Sequence, residues 1–131
     1  MGGMMKSTIK TDKAPAAIGP YNQAVEVNGL IYTAGQIPLD PKTGKLVDSS
    51  FEDRVHQVMK NLRGILEAAG SDFTRVIKST IFVTDLGQYA ELNAVYAEYF
   101  PEDIAPARSA VQVAALPLGT DVEIEMVAYK G

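Results

Sequence analysis

Cysteine and tryptophan are absent from the 131 residues, and histidine occurs once, at His56. Without cysteine there is no disulfide framework, no thiolate metal site and no cysteine nucleophile. One histidine removes most zinc sites and any two-histidine acid–base pair. No metal site is therefore expected, and the chemistry is left to Arg, Lys, Tyr, Ser, Thr, Asp and Glu. No run of about 18 apolar residues occurs, which argues against a membrane-spanning helix. The start, MGGMMKSTIK, lacks the apolar core of a secretory signal and carries Lys6 where a myristoylation pattern needs Ser or Thr. The chain is expected to be soluble and cytoplasmic. Twelve Lys plus Arg stand against 16 Asp plus Glu, a net charge of −4, with the basic residues scattered. Without a basic stripe, nucleic acid is a poor partner. Gly-rich phosphate loops, His-Glu-x-x-His and acidic calcium loops are missing as well.

What is present suits one packed domain: 47% of the residues are hydrophobic and 21% charged. Residues 1–6 are expected to be a disordered arm or a cloning remnant, ahead of a single domain over 7–131. A short strand is expected around Thr8 to Lys10. A second follows from Tyr21 or Asn22 to Val27, then Asn28-Gly29 as a hairpin turn and a return strand over Leu30 to Gly35. Phe51, Val55, Val58, Met59, Leu62, Ile65, Leu66 and Ala69 recur at helical spacing. Ser49 with Glu52 reads as a capping box, and Gly70 as the left-handed stop. A strand over Arg75 to Thr84 precedes a second helix capped by Asp85 with Gln88. Tyr89, Leu92, Tyr96, Tyr99 and Phe100 are expected on its buried side, and Pro101 ends it. Two strands close the chain, at Ala107 to Ala114 and Thr120 to Tyr129. This order predicts an α+β fold, a mixed sheet of about six strands with two helices on one face. The uncovered sheet face predicts self-association.

Few residues stand out chemically. Arg108 lies among small and apolar neighbours at a strand start, so its guanidinium is either paired at an interface or aimed into a cleft toward a small anion. Glu123 and Glu125 alternate with Val122, Ile124 and Met126. They either guard an exposed strand with charge or supply a part-buried carboxylate that acts on water or a proton. Tyr21 reads as a packing ring or a site hydroxyl, and Gly35 as a bulge or a point of close approach to a ligand. His56 falls off the helix stripe and is expected to be solvated.

Three blocks together resemble the RidA family, also called YjgF-type or reactive intermediate deaminases. They are Ala14-Pro-Ala-Ala-Ile-Gly-Pro-Tyr21 with the Gln23-Ala-Val strand; Thr33-Ala-Gly-Gln-Ile-Pro38; and Pro106-Ala-Arg-Ser-Ala-Val111 with Leu116-Pro117 and Val122-Glu-Ile-Glu125. Asn93 and Ala68-Ala-Gly70 match too, and the likeness runs from about Ser7 to Tyr129. It implies a chorismate-mutase-like fold, a homotrimeric barrel of three sheets and clefts at the subunit interfaces. It implies cofactor-free hydrolysis of enamines and imines such as 2-aminoacrylate, 2-iminopropanoate and 2-iminobutanoate to 2-keto acids and ammonia, which protects against metabolite damage.

Carried over residue by residue, Arg108 matches the arginine that holds the substrate carboxylate, and Glu123 the glutamate associated with the attacking water. Tyr21 matches the site tyrosine, Gly35 the glycine whose backbone lines the pocket, and Asn93 a supporting position. Many relatives carry Cys where this chain has Ala110, a pocket-lining position, and many carry Arg where Ala115 stands. These departures bear on pocket volume and rim charge, since the hydrolysis needs no thiol. Two other readings stay open: an endoribonuclease or translation inhibitor, and a non-catalytic trimer that binds a small carboxylate or acts as a regulator.

Overall fold

Asn28 and Gly29 both take positive φ, 52° and 78°. That backbone twists in the sense of paired strands. In this computed structural model, which describes residues 5–131, the turn joins β2 (Ala24–Val27) to β3 (Leu30–Thr33) as an antiparallel hairpin. A short β1 (Ser7–Ile9) pairs with β2. Of the expected leading arm over 1–6, only Met5 and Lys6 lie within the described residues.

Helix α1 (Phe51–Ala68) forms where the apolar stripe recurs, and its Val55, Val58, Met59, Leu62, Ile65 and Leu66 are fully buried. Each such side chain contributes about 1.5–3 kcal/mol. The cap differs by one residue from expectation: Ser50, not Ser49, accepts the Asp53 amide at 3.0 Å, while Ser49 donates to the Asp53 carboxylate. Ser50 has the extended backbone that an N-cap requires. At the other end Gly70, at φ 82°, turns the chain so that Gly70 N donates to Glu67 O and Ser71 N to Leu66 O. That pair of bonds is a Schellman stop.

Strand β4 (Val76–Val83) follows, then helix α2 (Tyr89–Tyr99), β5 (Ala107–Gln112) and β6 (Val122–Tyr129). Asp85 caps the 3-10 turn at Leu86–Gln88 rather than α2 itself, whose first residue has no side-chain cap. The sheet order is β1-β2-β3-β6-β4-β5, antiparallel throughout except for the parallel pair β4 and β5. β5 is thus an edge strand whose one neighbour is β4.

Val122, Ile124, Met126 and Ala128 of β6 are buried on one face with Ser79, Ile81 and Val83 of β4. Both helices pack there. The other face carries Val25, Tyr32, Val127, Phe82 and Val111 at least partly exposed. Arg54 of α1 grips Asp121 with two bonds, 2.9 and 2.7 Å, and so ties the helix to the entry of β6. The mixed six-stranded α+β arrangement is the one the residue pattern predicts.

Candidate active site

Two clusters of polar residues emerge, one on each face of the sheet. The first begins with an irregularity after β3. Tyr32 pairs with Val127, and the next pairing is Gln36 with Ile124, so four steps on one strand oppose three on the other. That is a bulge. Thr33 Oγ1 accepts the Met126 amide at 3.0 Å within it. The bulge lays Gly35 against the Glu123 side chain: a Cβ at position 35 would come within 2.9 Å of the Glu123 Cδ and nearer still to Oε2. A side chain at position 35 would therefore displace the Glu123 carboxyl, and of the two readings of Gly35 the bulge is the one the backbone pairing displays.

Glu123 sits in a pocket of about 160 Å³ whose wall includes Pro15, Tyr21, Gly35, Ile37 and Leu118. Burial pushes its carboxyl above the usual range, and the nearby charge of Glu125 pushes the same way. Tyr21 is half exposed, its ring over Gly19 and its hydroxyl loosely accepting the Ile18 amide at 3.5 Å.

Two buried amides hold these loops. Gln23 Nε2 donates toward the carbonyls of Thr11, Ala14 and Pro15 at 2.9, 3.2 and 2.8 Å, and its Oε1 accepts the Thr11 amide at 2.7 Å. Asn61 on α1 donates to the carbonyls of Ile37 and Leu39 at 3.3 and 2.9 Å. Neither amide was singled out in the sequence. Their signal is a polar residue falling on a buried face: Gln23 just before the buried Ala24, and Asn61 beside Leu62 on the apolar stripe of α1.

The second cluster surrounds Arg108. β5 pairs Arg108 with Ser79 in parallel register, which sends the guanidinium to the helix face. There it lies 4.9 Å from the Tyr96 ring centre and 5.4 Å from that of Tyr89, and its Nη2 donates to the Tyr89 hydroxyl at 2.7 Å. These cation–π contacts and the hydrogen bond together restrain the guanidinium. No carboxylate pairs with Arg108 among the described residues.

Asn93 lies one helical turn from both tyrosines, on the same side of α2, and its Oδ1 is buried without a hydrogen-bond partner among the described residues. The Ser79 and Tyr96 hydroxyls are likewise buried without a well-aligned partner. Burial raises the Tyr96 phenol, while nearby Ser79 and the charge of Arg108 pull it down. Ala110, two residues along β5, packs half-buried against the core.

The expected site residues thus divide. Tyr21, Gly35 and Glu123 come together in one pocket, whereas Arg108, Asn93 and Ala110 lie on the other face. Phe82, the register partner of Glu123, alternates with Ile81, the partner of Ala110, so the division follows from the pleat. Tyr89 corrects the expected buried side of α2: it is 41% exposed, because it opens the helix beside the edge strand. Its four- and seven-residue spacing to Asn93 and Tyr96 is the only sequence signal that could have linked these three, and it was not read so. His56 is a second correction. It is half-buried, with Nδ1 2.7 Å from the Tyr99 hydroxyl, and it joins α1 to α2.

Among the described residues, no group of three or more His, Cys, Asp or Glu is placed to hold a metal ion. No helix among them is long and apolar enough to cross a membrane.

Residues 11–130 match the family model described as Endoribonuclease L-PSP. The chain is 47% identical over 131 residues to a mouse (Mus musculus) protein named 2-iminobutanoate/2-iminopropanoate deaminase, covering all of this chain and 96% of that one. It is 49% identical over 123 residues to the chloroplastic Reactive Intermediate Deaminase A of Arabidopsis thaliana, covering 94% of this chain and 65% of that longer protein. Among solved structures it is similar to RidA from an Antarctic Psychrobacter, with TM-score 0.89, 47% identity and coverage of 94% and 98% of the two chains. It is similar too to E. coli TdcF with bound serine, with TM-score 0.89, 41% identity and coverage of 95% and 99%.

Proposed function

The chain belongs to the Endoribonuclease L-PSP family, and from that premise we propose that it hydrolyses reactive 2-imino acids, with their enamine tautomers, to 2-oxo acids and ammonia. The names of its close relatives support the reaction, and the two polar clusters supply the groups it needs. An imine carbon is already electrophilic, so the enzyme needs little beyond orientation and a placed water. Arg108, with two aromatic rings beside its guanidinium and no carboxylate paired with it among the described residues, takes the carboxylate of the substrate. Glu123 holds the water. Water adds its oxygen to the imine carbon, and its protons pass by way of Glu123 to the nitrogen. The C–N bond then breaks, leaving a carbonyl and ammonia. Nothing is oxidised or reduced, so no cofactor is called for. The placement of Glu123 carries the proposal: its part-buried carboxyl lines one pocket with Tyr21 and Gly35, and the burial that raises it suits it to accept and return a proton.

Arg108 and Glu123 of one copy cannot grip one small substrate, since the sheet lies between them. The site is accordingly read as one built between subunits, Arg108 from one copy and Glu123, Gly35 and Tyr21 from the next, in a homotrimer whose open sheet faces meet. The exposed Tyr32, Val111 and Tyr129 on that face support such burial. A cytoplasmic setting goes with this reading. RNA cleavage gains no support from a chain of net charge −4 without a basic stripe.

The test generates 2-iminopropanoate or 2-iminobutanoate with an amino-acid oxidase in a semicarbazide trap. Purified protein is expected to hasten loss of the imine, and Arg108→Ala to lose at least about 100-fold of that rate. No acceleration by the unaltered protein would leave a carboxylate-binding trimer. Near-full activity in the variant would remove Arg108 from the reaction.

A further inference from the structure

We propose that Tyr89 is a second hydrogen-bond donor to the substrate carboxylate, acting beside Arg108, and so sets how tightly the site selects 2-imino acids. This deepens the functional reading above and rests on it. A phenol has one proton to give and lone pairs to accept with. In this structure Nη2 of Arg108 donates to the Tyr89 oxygen at 2.7 Å, which uses the oxygen as acceptor and leaves its own proton undirected. The hydroxyl and the guanidinium therefore form one hydrogen-bonded unit, with the phenol proton still to be donated.

The remaining surroundings fix that unit in place. Tyr96 closes the guanidinium from within, its ring centre 4.9 Å away, and its buried hydroxyl is too deep to reach a ligand outside. Tyr89, by contrast, is 41% exposed at the first residue of α2, with the edge strand β5 alongside it. An exposed tyrosine that only packed would not need its oxygen at hydrogen-bond distance from an arginine lacking a carboxylate partner. A bidentate anion on Arg108 brings one of its oxygens next to the Tyr89 hydroxyl, where the phenol proton completes its solvation.

Tyr89→Phe keeps the ring, and with it the stacking on Arg108, and deletes only the oxygen. The expected result is a KM for 2-iminobutanoate raised about tenfold with kcat changed less than twofold, the size of a hydrogen bond to a charged group. Binding of the product 2-oxobutanoate, followed by calorimetry without turnover, should weaken by the same factor, while the weak binding of 2-oxobutanamide, which lacks the carboxylate, stays as it was. Unchanged affinity for 2-oxobutanoate in Tyr89→Phe would overturn the proposal. So would tighter binding, which would make the hydroxyl a competitor for Arg108. If Arg108→Ala abolishes binding while Tyr89→Phe binds 2-oxobutanoate as the unaltered protein does, the arginine clamp survives and the Tyr89 assignment fails. If the unaltered protein neither turns over the imine nor binds the oxo acid, the functional reading falls and takes this one with it.

Discussion

A carboxylate half-sunk in a pocket beside a second acid costs the fold something, and Glu123 is such a residue. Its carboxyl lies above its ordinary value of 4.5, first through burial and then through the charge of Glu125. In the window between the unfolded and folded values the native state holds the proton more firmly than the unfolded chain. The associated stability is present in full below about 4.5 and is lost as pH rises through the folded value. Glu123→Gln should therefore raise Tm by a few degrees at pH 7 to 8, shrink that gain toward zero in acid, and abolish turnover. Melting curves across pH 4 to 8 check the sign; a variant less stable than the parent at neutral pH would contradict it. Such a cost was not legible in the alternation of Val122 to Glu125, which shows that two acids share a face but not how deep either lies.

The bulge after β3 is the element on which the pocket depends. It places Gly35 where any side chain would collide with the Glu123 carboxyl. Gly35→Ala should leave the sheet paired yet drive Glu123 out of position, with activity reduced about 100-fold or more and little change in the melting profile. Retention of activity would show that the loop yields easily.

Elements whose ends are marked by residues with one backbone preference were legible from the sequence: the Asn28-Gly29 turn, the Gly70 stop and the α1 stripe all stand where the residues put them. β5 was less so. Ala107 to Gln112 is short of apolar residues because it is an edge strand, and so its pattern could not say to which face Arg108 points. The first residue of α2 misled for a related reason. A helical period assigns Tyr89 to the apolar side, but as the first residue of the helix it stays largely exposed, with Arg108 against it. Gln23 and Asn61 escaped notice because a buried amide that serves loop carbonyls is specified by tertiary structure and leaves no period.

At the scale of the whole molecule, the chain keeps its two sets of site groups on opposite faces of one sheet. In genetic terms this makes the defects separable. A chain with Arg108→Ala still offers an intact Glu123 pocket, and a chain with Glu123→Gln still offers an intact arginine. Either variant alone is inert under the proposed mechanism. Co-expressed in equal amounts and mixed at random in a closed ring, they would form intact sites at about a quarter of the interfaces. About a quarter of the parental activity should then return from two inactive partners, as read by imine hydrolysis on the co-purified assembly. A mixture as inert as its parts would instead place both groups of each site within a single chain. The pleat of one strand pair thus has a consequence for inheritance: in a cell carrying both alleles, two loss-of-function changes, one in each cluster, would partly complement each other.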